Sequence, residues 1–117
     1  MFSDFKNKEI YKKSKELYAL VNSVLSKEIP YSLKDQILRA SISINLNFAE
    51  GYGRFHKKDK KQFYVNARAS LNEVSACFDL FQIHVELSKE VIDKFNFLAE
   101  ELSKMLSGLI NSMKEEK

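Results

Sequence analysis

The sequence predicts an all-α protein, folded as an antiparallel up-down-up-down four-helix bundle. Three glycines and one proline in 117 residues are too few for the many tight turns of a sheet protein. Four long stretches repeat apolar residues at the i, i+3, i+4, i+7 spacing that buries one face of a helix. The segments between these stretches are short, so consecutive helices are expected to pack antiparallel.

Length and composition indicate one globular domain that spans residues 1–117. The apolar content is 44% and the charged content 30%, which is typical of a folded protein. No apolar run is long enough for a transmembrane helix, and the polar, lysine-rich N-terminus does not look like a signal peptide. The only cysteine, Cys77, cannot form a disulfide within the chain. We therefore expect a cytoplasmic protein with no membrane contact.

The apolar periodicity sets approximate limits for the four helices, the last of which is separated from the third only by the weak break Leu87-Ser88. The predicted helices cover about residues 7–27, 33–50, 59–86 and 89–113.

Local signals refine these limits. Pro30 interrupts the first periodic stretch because proline cannot continue a helix interior, and Ser32 is then expected to cap the second helix. Gly51 is expected to end that helix in the left-handed conformation. Asp59 is expected to cap the third helix, with Gln62 at the reciprocal position of a capping box.

The second predicted helix is apolar on two sides. Leu33, Ile37, Ala40, Ile44 and Phe48 form the stripe expected to face the core of the bundle. A second stripe with Leu38, Ile42 and Leu46 lies about 150° away around the helix. One bundle does not need two nearly opposite apolar stripes, so the second stripe predicts a subunit interface. Phe97 points away from the apolar face of the last helix and is a further candidate for subunit contact. On the polar side of the second helix, Asp35 and Arg39 are four residues apart and could form an ion pair.

The residues that catalysis or metal binding would need are not grouped in the sequence. His56 and His84 are the only histidines, and neither belongs to the Glu-x-x-His pairs of di-iron bundles. Glu73, Cys77 and His84 share one flank of the third helix, but their spacing is poor for zinc. Phosphate-binding and dinucleotide-binding glycine loops are also missing. We therefore expect a non-enzymatic protein without metal or cofactor.

The best candidate for a functional surface is the basic segment after the second helix. Its cations are Arg54, Lys57, Lys58, Lys60, Lys61 and Arg68, which bracket the single acid Asp59. Residues 1–68 hold 14 Lys and Arg against 7 Asp and Glu, a net charge of +7, whereas residues 69–117 hold 5 against 9, a net −4. Clustered cations of this kind could contact nucleic-acid phosphates with a salt-dependent, sequence-tolerant affinity.

Three aromatic residues, Tyr52, Phe55 and Tyr64, are interleaved with these cations and could stack on unpaired bases. The opposite interpretation is a solvated lysine loop whose aromatic rings turn into the core. The protein would then be a protein-binding scaffold that does not bind nucleic acid. A small enzyme is a third, more distant interpretation.

Two stretches resemble the four-helix bundle proteins of the 23S rRNA intervening-sequence family. The first runs from Gln36 to Arg54 and contains Asn-Phe-Ala-Glu-Gly at 47–51, and the second is Ala-Arg-Ala-Ser-Leu-Asn-Glu at 67–73. The positions that match the family pattern are Arg39, Ala40, Asn47, Ala49, Glu50, Gly51, Arg54, Ser70, Leu71 and Glu73. Ser43, Phe48 and Ala69 depart from that pattern in ways that affect packing only.

The resemblance implies an up-down bundle that assembles as a ring-shaped homopentamer. Some members of the family are encoded within insertions in 23S rRNA genes. Related accessory proteins of diversity-generating retroelements bind nucleic acid and a reverse transcriptase through a basic ring surface. Ribosomal RNA, another nucleic acid or a reverse transcriptase are therefore the partners that the resemblance suggests. It implies no catalytic residues and no cofactor.

Overall fold

A computed structural model describes residues 3–114 and confirms the four-helix bundle. A short 3-10 helix, Asp4–Asn7, precedes the bundle. The four α-helices are α1 (Glu9–Ser23), α2 (Tyr31–Gly53), α3 (Lys57–His84) and α4 (Lys89–Ser112). The described part of the chain contains no β-strand, and its extents are 52 × 26 × 25 Å.

The helices occupy the four corners of a square bundle. Within residues 3–114, α1 and α3 each pack against both α2 and α4, while the diagonal pairs are apart. Cross-helix contacts fix the direction of the helices: the Phe78 ring stacks on Phe95, and Arg68 reaches Ser107. Earlier residues of α3 thus meet later residues of α4, as an antiparallel arrangement requires. The most extensive packing joins α2 to α3.

The apolar stripe predicted to face the core in α2 is confirmed, with Leu33 at its start only half-buried, and each of the other three helices also buries an apolar face. In α2, the residues Ile37, Ala40, Ile44 and Phe48 are all buried. Their neighbours in the core include Leu17 and Val21 of α1, Ala67, Leu71, Val74 and Phe81 of α3, and Phe95, Leu98, Leu102 and Leu106 of α4. Burying apolar area of this kind contributes roughly 25 cal/mol per Å² and is the main stabilising term of such a bundle.

Two of the predicted helix caps are wrong. Helix α2 begins at Tyr31, one residue before Ser32, because the Pro30 carbonyl accepts the first helical hydrogen bonds and makes the proline itself the N-cap. Helix α3 begins at Lys57 with His56 as its N-cap. Asp59 therefore lies inside the first turn, where the positive end of the helix dipole favours its charge.

The ends of the other helices also differ from the predicted limits. Helix α1 covers Glu9–Ser23, which is shorter than the predicted 7–27 because a tight turn from Val21 to Val24 closes it. The weak break before α4 is confirmed, since the Ser88 hydroxyl accepts a hydrogen bond from the Val91 amide at 3.2 Å. This side-chain cap satisfies one of the open N–H groups in the first turn of α4.

Gly51 does not end α2 in a left-handed conformation. The helix continues to Gly53, and no glycine among the described residues has positive φ. Gly51 is instead needed for close packing against α3. A Cβ atom at this position would lie 2.7 Å from Cε1 of Tyr64 and 2.9 Å from Cβ of Phe63. The absence of a side chain at residue 51 thus lets the end of α2 approach the start of α3.

The substitution Gly51→Ala is expected to lower the free energy of unfolding by about 1–3 kcal/mol, because the added methyl group overpacks the contact between α2 and α3. Urea denaturation followed by circular dichroism measures this change. Gly108→Ala is the matched control, since nothing lies within 4 Å of a Cβ added there. It is expected to stabilise α4 by about 0.5–1 kcal/mol. The same effect at both positions would contradict the close contact at Gly51.

Candidate nucleic-acid interface

The antiparallel fold gathers positive charge at one end of the bundle. We call this the basic end: the start of α1, the end of α2, the start of α3 and the end of α4. When the helices are divided at their midpoints, this half holds 3–16, 42–70 and 101–114, with 13 Lys and Arg against 6 Asp and Glu. The other half, 17–41 and 71–100, holds 5 against 8. The described chain is thus polarised along its length, with net charges of +7 and −3.

Three of the predicted cations are exposed at the basic end. Lys57, Lys58 and Lys61 lie on the first turns of α3, where the positive end of the helix dipole adds to their charge. Phe55 precedes them with its side chain 90% exposed, and its ring lies edge-on to His56 at a centroid distance of 5.1 Å. This segment presents cations and one aromatic ring to the solvent.

Two other predicted cations are held by contacts within the chain. An Arg54 Nη2 group donates a hydrogen bond to Glu50 Oε2 at 3.1 Å, and the guanidinium carbon lies 4.8 Å from the centre of the Phe63 ring. Arg68 is half-buried, and its Nη1 group donates to the Ser107 hydroxyl at 3.4 Å. Both arginines therefore contact other residues of the chain, and Arg68 joins α3 to α4 away from the exposed lysines.

Lys60 has a structural role that the sequence does not predict. Its Nζ group donates hydrogen bonds to the carbonyl oxygens of Gly51 at 3.2 Å and Tyr52 at 2.7 Å. These carbonyls belong to the last turn of α2, whose final carbonyl groups lack the usual i+4 partners, although the Gly51 carbonyl also accepts from the Arg54 amide at 3.2 Å. Burial lowers the pKa of Lys60. The side chain therefore ties the end of α2 to the start of α3 and is less open to a partner than its neighbours.

Lys8 belongs to the basic end but was missed by reasoning from the sequence. Its ammonium nitrogen lies 5.5 Å from the centre of the Tyr52 ring, and that of Lys60 lies 5.4 Å from the same centre. Contacts of this kind between a cation and an aromatic face are attractive. The lysine-rich start of the chain could have predicted this position, because an up-down-up-down bundle places the start of α1 beside the connection between α2 and α3.

Only one of the three aromatic residues predicted to stack on bases is freely accessible. Tyr64 is 2% exposed, and its ring stacks on Phe48 at a centroid distance of 5.9 Å. Tyr52 is half-buried beneath the two lysines. The prediction is therefore wrong for Tyr64, because the close approach of α3 to Gly51 turns its ring inward, and Phe55 alone remains well exposed.

The polar side of α2 connects this helix to α3. The hydroxyl groups of Ser43 and Ser70 share a hydrogen bond of 2.8 Å, and the Gln36 side-chain amide donates to the Glu73 carboxylate. The predicted ion pair between Asp35 and Arg39 is confirmed, with 2.9 Å between Oδ2 and Nε. The first two contacts join α2 to α3, and the third pairs two residues of α2 itself.

The four residues predicted to contact another subunit differ in how exposed their side chains are in the single chain. Ile42 is 40% exposed, Leu46 is 61% exposed and Phe97 is 58% exposed. Leu38 is half-buried and packs partly against its own core. The Lys13 ammonium group lies 5.4 Å from the centre of the Phe97 ring. The second stripe of α2 therefore reaches the surface chiefly at Ile42 and Leu46.

Glu73, Cys77 and His84 do not come together as ligands. No three His, Cys, Asp or Glu side chains within 3–114 are placed to hold a metal ion. Cys77 lies in the core, and burial, followed by the charge of Glu73, raises the pKa of its thiol. In the same described range, no helix has the length and hydropathy needed to cross a bilayer.

Residues 6–108 match the family model described as 23S rRNA-intervening sequence protein. The chain belongs to this family. The resemblance of residues 36–54 and 67–73 to the 23S rRNA intervening-sequence proteins is thereby confirmed. In this member of the family, Gly51, Ser70 and Glu73 all contribute to the packing of α2 against α3. No curated protein matches the chain significantly.

The free energy of unfolding is expected to fall as the pH rises from about 10 to 12. Burial, together with the neighbouring Tyr52, raises the pKa of Tyr64 from 10.0 to about 12. Between these values the unfolded chain releases this proton while the folded chain keeps it. The unfolded state then binds fewer protons, so folded stability decreases with rising pH.

Urea unfolding at about pH 9, 10 and 11 tests this expectation. Tyr64→Phe should make the decline with pH shallower than in the wild-type protein, because the buried titrating group is removed. Tyr31→Phe is the matched control, since this ring is well exposed. Equal slopes for the two variants would contradict the burial of the Tyr64 hydroxyl.

Proposed function

We propose that this protein is a non-enzymatic, oligomeric bundle that binds the phosphate backbone of RNA or DNA through its basic end. The observation that carries the proposal is the charge polarity of the fold, with a net +7 on the half that bears Lys57, Lys58 and Lys61. The chain belongs to the family of 23S rRNA-intervening sequence proteins, and this description makes structured RNA the first nucleic acid to test.

The physical basis of this binding is the release of counterions. Each lysine that neutralises a phosphate frees condensed cations, so affinity falls steeply as salt is added. Lys57, Lys58 and Lys61 are exposed and close to the positive end of α3. Phe55 adds an aromatic face on which an unpaired base could stack. This surface favours binding with little dependence on sequence.

Oligomerisation would strengthen the binding of nucleic acid, because one basic end alone offers only a few phosphate contacts. Ile42 and Leu46 leave an apolar stripe at the surface of α2, and covering it with a second copy would remove that area from water. We propose the ring-shaped homopentamer of the family as the assembly. Cyclic symmetry places the same end of every subunit at the same height along the ring axis. All basic ends would therefore lie on one rim, and avidity would multiply their separate affinities.

The alternative function is a protein-binding scaffold without affinity for nucleic acid. The exposed apolar side chains of Ile42, Leu46 and Phe97 favour this alternative, because such residues also suit a different protein partner. A reverse transcriptase is one such partner, proposed here only from the resemblance to retroelement accessory proteins. Binding of nucleic acid by the isolated protein separates the two functions.

The triple variant Lys57→Gln, Lys58→Gln, Lys61→Gln is expected to bind structured RNA at least about tenfold more weakly at low salt, with a flatter dependence on salt. Fluorescence anisotropy of a labelled RNA hairpin at two salt concentrations measures both quantities. The substitutions spare Lys60, which holds α2 to α3, so the fold should persist.

A second triple variant provides the matched control for charge. Lys27→Gln, Lys89→Gln, Lys94→Gln removes the same number of exposed lysines from the opposite half of the bundle and should bind RNA almost as wild type does. Equal losses in both variants would show that net charge, rather than the basic end, determines affinity. A wild-type protein that fails to bind at low salt would refute the proposed function.

The substitution Leu46→Glu is expected to dissociate the assembly, because it places a charge in the apolar stripe that the subunits would share. Light scattering after size-exclusion chromatography should give a multiple of 13.6 kDa for the wild type and 13.6 kDa for the variant. Phe55→Glu, the same kind of change at an exposed ring outside the stripe, should leave the mass unchanged. A monomeric wild type at micromolar concentration is incompatible with the proposed ring.

A further inference from the structure

A cavity of about 340 Å³ opens inside the basic end, between all four helices. Its walls are almost entirely apolar or aromatic and include Ile10, Phe48, Tyr52, Tyr64, Met105 and Leu109. The two methionine side chains that line it, Met105 and Met113, are flexible and adapt readily to the shape of a bound group. Among the described residues this is a hydrophobic pocket of the size at which ligand sites begin.

The few polar groups of the cavity belong to two lysines, two tyrosines and one glutamate. Lys8 and Lys60 line it, and their ammonium groups lie over the Tyr52 ring. Two of the three N–H groups of Lys60 are directed to α2 carbonyls, which leaves one donor for another acceptor. The Tyr64 side chain, which is only 2% exposed, also lines the cavity. Glu9 also lines the cavity, but its carboxylate is exposed and lies 3.9 Å from Lys12.

We propose that this cavity binds a small amphipathic anion of the medium-chain carboxylate class, with its hydrocarbon tail among the apolar walls and its carboxylate on Lys8 and Lys60. The cavity is more than twice as large as the ~150 Å³ that holds benzene, which leaves room for a tail of roughly ten carbons. The hydroxyl of Tyr64, which also lines the cavity, would supply a further donor toward the carboxylate. A bound carboxylate would also offset the desolvation cost of the partly buried, charged ammonium group of Lys60.

A mononucleotide fits the same cavity poorly. A base carries several donors and acceptors on its edges, and burying them against apolar walls would leave them without hydrogen bonds. Apart from the two lysines, the cavity offers a base only the hydroxyls of Tyr52 and Tyr64 and the exposed Glu9 carboxylate. A saturated hydrocarbon tail has no such groups. The chemistry of the walls therefore favours an aliphatic acid, and this inference does not rest on binding of nucleic acid by the exposed lysines.

Isothermal titration calorimetry of the full chain tests the proposal with four probes. Decanoate below its micellar concentration is expected to bind in one site per chain. Decanol, which has the tail without the charge, should bind at least tenfold more weakly. Butyrate, which has the charge with a short tail, and adenosine monophosphate should show no binding at the same concentrations. Decanol binding as tightly as decanoate, or the nucleotide binding in its place, would overturn the proposal.

Two variants locate the ligand. Lys8→Met should weaken decanoate binding about tenfold without loss of fold, because Lys8 is exposed and makes no side-chain cap to α1. Lys15→Met, which changes an exposed lysine of α1 that does not line the cavity, is the matched control and should bind as wild type does. Leu109→Trp fills the cavity and should abolish binding in a variant whose circular dichroism remains helical. Unchanged binding in Lys8→Met, or binding that survives in folded Leu109→Trp, would place the ligand elsewhere and refute the inference.

Discussion

The close approach of α2 and α3 at Gly51 determines the arrangement of the basic end. With no side chain at this position, the Tyr64 ring and the Cβ atom of Phe63 pack directly against the last turns of α2. Lys60 then reaches back to the carbonyl oxygens of that turn. Gly51 and Lys60 thus hold the end of α2 against the start of α3. The exposed lysines Lys57, Lys58 and Lys61 lie on the first turns of α3, so this contact sets their positions. A bulkier residue at 51 would move this whole group of charges.

The fold converts a charge difference along the chain into a charge difference along the molecule. In the sequence, cations are concentrated before residue 68. The antiparallel bundle returns the start of α1 and the start of α3 to the same end, where the positive charges of both are added together. The opposite half carries eight acids against five cations, and one of these acids is Glu86 in the connection between α3 and α4. A polar bundle of this kind can use one end for an anionic partner while its sides remain available for contacts between subunits.

The sequence predicted the helices and their buried faces well, because the apolar period is a property of every turn. The burial of four residues in α2 could be predicted without knowledge of the tertiary structure: Ile37, Ala40, Ile44 and Phe48. The caps at Ser32 and Asp59 were wrong because a residue of suitable type is not a cap if a neighbouring carbonyl already starts the helix. The structural role of Lys60 and the presence of Lys8 depend on which helix ends meet in space. The cavity has the same origin, since its walls come from all four helices and no single stretch of sequence encodes it.

The claim on which this account depends is that nucleic acid contacts the basic end of the bundle. Hydrogen–deuterium exchange measured by mass spectrometry, with and without saturating structured RNA, tests it most directly. Binding at the basic end should slow exchange in peptides that cover 52–62 and leave it unchanged in peptides that cover 84–92 at the opposite end. Protection of 84–92 with none at 52–62, in a sample where RNA is bound, would contradict it.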